Sequence, residues 1–122
     1  MHIVFDVMGT VLGAIDMSLR PGIKETIKGL LEAGNRVDFW TSGPVDYYTA
    51  MLRENGIPGM VHKKEMGSPL KPDICVDDEP QDWFPGLVYR VKPHICGDLP
   101  GENILVAELI CCKESNSSFF WD

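Results

Sequence analysis

The sequence has no apolar run near the roughly 20 residues that a membrane-spanning helix needs, so it offers no candidate span. It is short of cationic charge as well: 11 lysines and arginines face 18 aspartates and glutamates, for a net charge of −7. Affinity for a nucleic-acid backbone rests on Lys and Arg neutralising phosphates, so no nucleic-acid partner is expected. The four cysteines show no Cys-x-x-Cys spacing for zinc or redox work. Cys75 and Cys96 lie in apolar contexts and Cys111-Cys112 are adjacent, which reads as free thiols in a reducing compartment. A basic segment followed by an apolar one is missing from the first residues, so no secretory signal is read and a cytoplasmic location is expected. Internal repeats and low-complexity tracts are lacking too.

What remains is ordinary for one soluble domain. The chain has 122 residues, of which 44% are hydrophobic and 24% charged, enough to bury a single core and too little for two. Residues 1–113 are read as that domain and 114–122 as a tail that joins a polar linker to an aromatic end. The negative charge does not exclude a small phosphorylated substrate, because a divalent cation can supply locally the positive charge that the chain lacks globally.

The order of elements points to a class. Ile3-Val4-Phe5 is a buried-strand run ending in Asp6, and Val11 to Arg20 is a short connection. Ile23, Ile27, Leu30 and Leu31 then mark one face of an amphipathic helix that Gly34-Asn35 stops. Residues 36–40 read as a second strand, and Pro44 suits the first turn of a second helix that carries Tyr47, Tyr48, Met51 and Leu52. Short strands follow at 60–62, 73–77 and 87–91, and a closing helix is favoured over a strand at 103–113. Strands separated by crossovers imply an α/β, three-layer, Rossmann-like fold with a mainly parallel sheet of about five strands and helices on both faces.

Four elements that carry chemistry fall just after these strands. They are Asp6 with Gly9-Thr10, Thr41-Ser42-Gly43, the lysine pair Lys63-Lys64, and Asp77-Asp78. Each alone has a plainer reading as a turn former, a helix cap or a solvated surface. Together they share the carboxyl edge of a parallel sheet, where open α/β folds keep their ligands. Lys71 precedes the fourth strand, and at about 3.3 Å per residue it lies on the order of 20 Å from Asp77. Of the two lysines at the better edge, Lys64 is chosen over Lys63. His62 and His94 read as structural or surface residues, and His2 has no evident role.

In these motifs and in Arg20-Pro21-Gly22 and Trp40-Thr41-Ser42-Gly43-Pro44, the chain resembles the haloacid dehalogenase superfamily over roughly residues 3 to 91. The resemblance implies that Asp6 attacks phosphorus to give an aspartyl-phosphate. It implies that Thr41, Ser42 and Gly43 hold the phosphoryl oxygens and that Lys64 bridges Asp6 and the phosphate. Asp6, Asp77 and the Met8 carbonyl would ligate Mg²⁺, with Asp78 supporting the metal.

One position departs from the pattern. Phosphatases of this family usually carry a second Asp two residues after the nucleophile, to protonate the leaving group and then activate water, and here that residue is Met8. The change removes an acid–base contribution of typically 10²–10⁴-fold. A slow phosphatase, a dehalogenase-like chemistry and a binding domain on a hydrolase scaffold are the readings left, and the retained Asp77-Asp78 argues against the second. The intervals at 11–20 and 59–73 are too short for a cap domain, so a capless member with an open site is expected. Its partners would be a phosphorylated substrate and, to cover the site, neighbouring copies in a homo-oligomer. A catalytically weak domain that binds a phosphorylated ligand or a protein is the alternative.

Overall fold

A computed structural model describes residues 1–97 and a two-residue strand near the end of the chain. Five strands, β1 (His2–Asp6), β2 (Arg36–Thr41), β3 (Val61–Lys63), β4 (Ile74–Asp77) and β5 (Leu87–Arg90), form a parallel sheet. Its sixth member is β6 (Phe119–Phe120), and the order is β3-β2-β1-β4-β5-β6. The helices are α1 (Ile23–Glu32) and α2 (Val45–Glu54). The α/β class, the parallel sheet and the absence of a cap among the described residues agree with the sequence reading, and no described helix is long and apolar enough to cross a membrane. The helix expected over 103–113, the boundary at 113 and Cys111-Cys112 lie outside the described residues. Within the tail, the backbone of Phe119 pairs beside Tyr89, so that segment returns to the sheet.

Alternation along the strands divides the core in two. Ile3, Phe5, Val37, Phe39, Ile74 and Val76 point to one face, where they meet Ile23, Ile27 and Leu30 of α1 and Tyr48 and Leu52 of α2. Val4, Trp40 and Cys75 point to the other, under Leu70 and Phe84. Both described helices cover the first face, and among the described residues loops cover the second. Handedness accounts for the split. Right-handed crossovers that step from β1 to β2 to β3 stay on one face, and those that step the opposite way, through β4 to β5, pass over the other. The segments 64–73 and 78–86 that make those passes are rich in Pro and Gly and cover the sheet with Leu70, Trp83 and Phe84 instead of a helix. Trp40 anchors them, its ring 5.1 Å from that of Phe84 and 5.7 Å from that of Trp83.

Helix ends follow local chemistry. Gly34 takes φ +88° after α1, and the Asn35 side chain donates to the Leu30 carbonyl at 2.9 Å. Pro44 stands at the cap of α2, one residue before its first turn. Cys75 and Cys96 are free, and burial chiefly, with Asp77 adding, pushes the Cys75 thiol up to about 12, against a smaller opposing effect of Lys64.

Candidate active site

The sheet changes direction at β1: the chain leaves it toward β2 on one side and returns to β4 on the other. Such a switch point opens a crevice at the carboxyl ends of the strands. β1 and β4 end there in Asp6 and Asp77, and both side chains are buried. β2 ends in Thr41, and the Lys64 backbone N–H donates to the Thr41 carbonyl at 2.9 Å, which fixes where the chain leaves β3.

The result is a cleft of about 650 Å³ lined by Asp6, Met8, Thr41, Ser42, Gly43, Lys64, Asp77 and Asp78. These eight residues, named from the sequence, therefore share one cleft, while Gly9 and Thr10 do not line it. Lys63 is exposed and does not line it, nor does Lys71. Lys64 Nζ sits 2.8 Å from Asp6 Oδ1 and 3.0 Å from Asp77 Oδ2, bridging the two strands. Both pairs exclude much of the solvent, so they are less screened than surface ion pairs.

One ammonium faces several carboxylates. Asp6, Asp77 and Asp78 each present an oxygen within 4.8 Å of the others, Glu79 also lines the cleft, and Lys64 is its cationic lining residue among the described residues. Burial first, and Asp77 next, push the Asp6 carboxyl up to about 8, with Lys64 pulling the other way. Burial likewise raises Asp77 against the pull of Lys64. Lys64 is raised in turn: burial on its own would lower it, and the charges and hydrogen bonds of Asp6 and Asp77 outweigh that. A hard-oxygen cluster with excess negative charge is the donor set that suits a small divalent cation.

Four further residues shape the site; the sequence reading marked Thr10 only as part of a turn and gave Tyr48, Gln81 and Trp83 no role in it. Thr10 donates toward Asp6 Oδ2 at 3.2 Å and Asp78 Oδ1 at 3.3 Å and accepts the Asp78 N–H at 3.1 Å, tying the loop after β1 to the loop after β4. Tyr48 reaches the cleft from the buried face of α2, and its hydroxyl donates to Met8 Sδ at 3.8 Å. Burial, then Tyr47, then Asp6 hold that phenol above its ordinary value. Gln81 and Trp83 complete the lining. The Gly-Thr turn was a signal for Thr10. Tyr48 reads in sequence as one more apolar residue of a helix face.

The Thr41 turn differs in one detail from what the resemblance implies. The Gly43 N–H is turned onto Thr41 Oγ1 at 3.1 Å, so this amide is already satisfied and Thr41 and Ser42 are left to meet a ligand. His94 is buried behind the site, with its backbone N–H on the Gly9 carbonyl at 2.7 Å, and His2 Nε2 lies 2.7 Å from Asp38 on a remote part of the sheet. No family model, no curated protein and no solved structure matches this chain.

Proposed function

We propose that the protein is a Mg²⁺-dependent hydrolase of the haloacid dehalogenase type that cleaves a phosphate ester through an aspartyl-phosphate at Asp6. The observation that carries this reading is the Lys64 bridge between Asp6 and Asp77, set beside the Thr41-Ser42 turn in one cleft at the carboxyl edge of a parallel sheet. Asp6 is held for attack by Lys64 on one oxygen and Thr10 on the other. A bond from the Asp6 carboxylate to phosphorus forms as the ester P–O bond breaks, and the leaving oxygen takes a proton. Water then attacks the aspartyl-phosphate, releasing phosphate and free Asp6. Thr41 and Ser42 would orient the phosphoryl oxygens, and Lys64 would offset their charge.

The carboxylates of Asp6 and Asp77, with Asp78 and the Met8 carbonyl, would hold Mg²⁺. When bound, the ion would supply Lewis-acid polarisation of the phosphoryl group. The open, capless cleft would suit a large phosphorylated substrate, or a second copy covering the site, and the free thiols Cys75 and Cys96 go with a cytoplasmic location. Met8 favours a second reading, a weak or inactive domain that binds a phosphorylated ligand, because this partly exposed side chain in the cleft carries no transferable proton.

Turnover of p-nitrophenyl phosphate with Mg²⁺ separates these readings. Wild type should turn over and Asp6→Asn should lose at least about 10³-fold, as expected for a missing nucleophile. Beryllium fluoride with Mg²⁺ should raise the melting temperature of wild type and leave Asp6→Asn where it was. Equal turnover by both proteins would remove Asp6 from the chemistry. Stabilisation by beryllium fluoride without turnover would select the binding domain.

A further inference from the structure

We propose that the Tyr48 hydroxyl is the proton donor to the leaving-group oxygen, a role that Met8 cannot fill; the proposal rests on the aspartyl-phosphate reading above. Cleavage of an ester needs a proton at the departing oxygen unless that oxygen is a stable anion. Of the other donors in or beside the cleft, the Gln81 amide and the Trp83 indole are not proton-transferring acids, and two more are already committed. Lys64 bonds Asp6 and Asp77, and Thr10 serves Asp6 and Asp78. Thr41 and Ser42 belong to the turn that would meet the phosphoryl group.

Tyr48 is placed differently. Its hydroxyl donates to the sulfur of Met8, two residues from Asp6, over 3.8 Å. A thioether is a weak acceptor, so an ester oxygen arriving in the cleft would take over that hydrogen bond with a gain. Tyr48 and Asp6 line the same cleft.

The ring is also fixed. It is buried in the core between sheet and helices, and it lies so close to the Thr41 turn that a Cβ on Gly43 would come 2.8 Å from Tyr48 Cε2. Gly43 is thus the residue that lets an aromatic ring lie against the phosphoryl-binding turn. In the first step the Asp6–phosphorus bond forms, the phosphorus–oxygen bond to the leaving group breaks, and the phenolic proton passes to the departing oxygen. In the second, the phenolate takes a proton from the water that attacks phosphorus, which restores both Tyr48 and Asp6.

The test compares an alkyl phosphate, glycerol phosphate, with p-nitrophenyl phosphate, whose leaving group departs without protonation. Tyr48→Phe keeps the ring against Gly43 and removes only the hydroxyl. The ratio of alkyl to aryl kcat/KM should fall by about 10²-fold or more, and adding Met8→Asp to that background should bring it back. An unchanged ratio, with turnover still dependent on Asp6, overturns the role of Tyr48 and leaves the hydrolase reading standing. No Asp6-dependent turnover in wild type overturns both. Should Tyr48→Phe fail to fold, wild type alone decides, through the dependence of kcat/KM on leaving-group pKa across a series of aryl phosphates. A shallow dependence supports protonation of the leaving oxygen, and a steep one overturns it.

Discussion

Gly9 shows how much of the site hangs on single residues. It lies at φ +86°, and a Cβ there would come 2.6 Å from Asp78 Oδ2, against a carboxylate already engaged with Thr10. Gly9→Ala therefore combines left-handed strain with a push on Asp78. We expect a loss of about 1–2 kcal/mol in urea unfolding, together with weaker Mg²⁺ binding by calorimetric titration. Wild-type stability and affinity in this variant would show that the turn has room to yield. Thr10 and Asp78 are 68 residues apart, which explains why sequence marked the Gly-Thr turn and the acidic pair but not the bond between them: local pattern identifies each turn, whereas a contact between two strand ends exists only once the sheet is assembled. The pair Lys63-Lys64 was legible because strand direction decides which edge a lysine leaves from, and the fold selects Lys64 from it. Tyr48 was not, since the spacing that buries its ring says nothing of where its hydroxyl emerges.

Among the elements, the connection from β1 to α1 carries most of what the site requires. It holds Met8, Gly9 and Thr10, and it is wound back on itself, with the N–H groups of Val11 and Leu12 both directed at the Val7 carbonyl at 2.9 Å. Arg20 closes it. This side chain is 1% exposed, and its guanidinium donates to the carbonyls of Thr10 at 2.6 Å and Gly9 at 3.3 Å, and to that of Lys92. Read in sequence, Arg20 merely precedes the Pro-Gly start of α1, and nothing nearby in the chain shows that it will be buried under a loop ten residues back. Arg20→Met keeps most of the stem volume but leaves buried carbonyls unpaired. It should cost about 2–3 kcal/mol in urea unfolding, and a change below about 0.5 kcal/mol would mean that the loop is held by its own backbone bonds. The cover of the second sheet face is a similar case: periodicity finds α1 and α2, but loops that cover a sheet with Leu70, Trp83 and Phe84 have no period to detect.

For the molecule as a whole, the buried charge of the cleft should govern how stability depends on pH. Asp6 titrates near 8 in the folded, metal-free protein and near its ordinary 3.8 when unfolded, so between those values the native state holds a proton that the unfolded state has released. Stability must then fall as pH rises through that window and level off above it. Asp77, raised by burial, adds to the same trend. Lys64 has the opposite character: its raised pKa contributes stability that is fully present below 10.5 and is lost only above that, outside the window. Asp16, lowered to about 2 chiefly by the Gly97 N–H, contributes stability that is lost as pH falls from 3.8 toward 2, and its full exposure keeps the effect small. Without metal, the melting temperature should therefore decline between pH 5 and pH 8, by about 5 °C or more for a domain of this size. Asp6→Asn removes the titrating group and should flatten the decline. Saturating Mg²⁺ should flatten it as well, because a cation that binds the ionised carboxylates competes with their protons and stabilises the folded state by mass action. A melting temperature that stays level from pH 5 to pH 8 in metal-free wild type would mean that Lys64 alone balances the buried carboxylates, and the case for a cation at this site would lose its electrostatic basis.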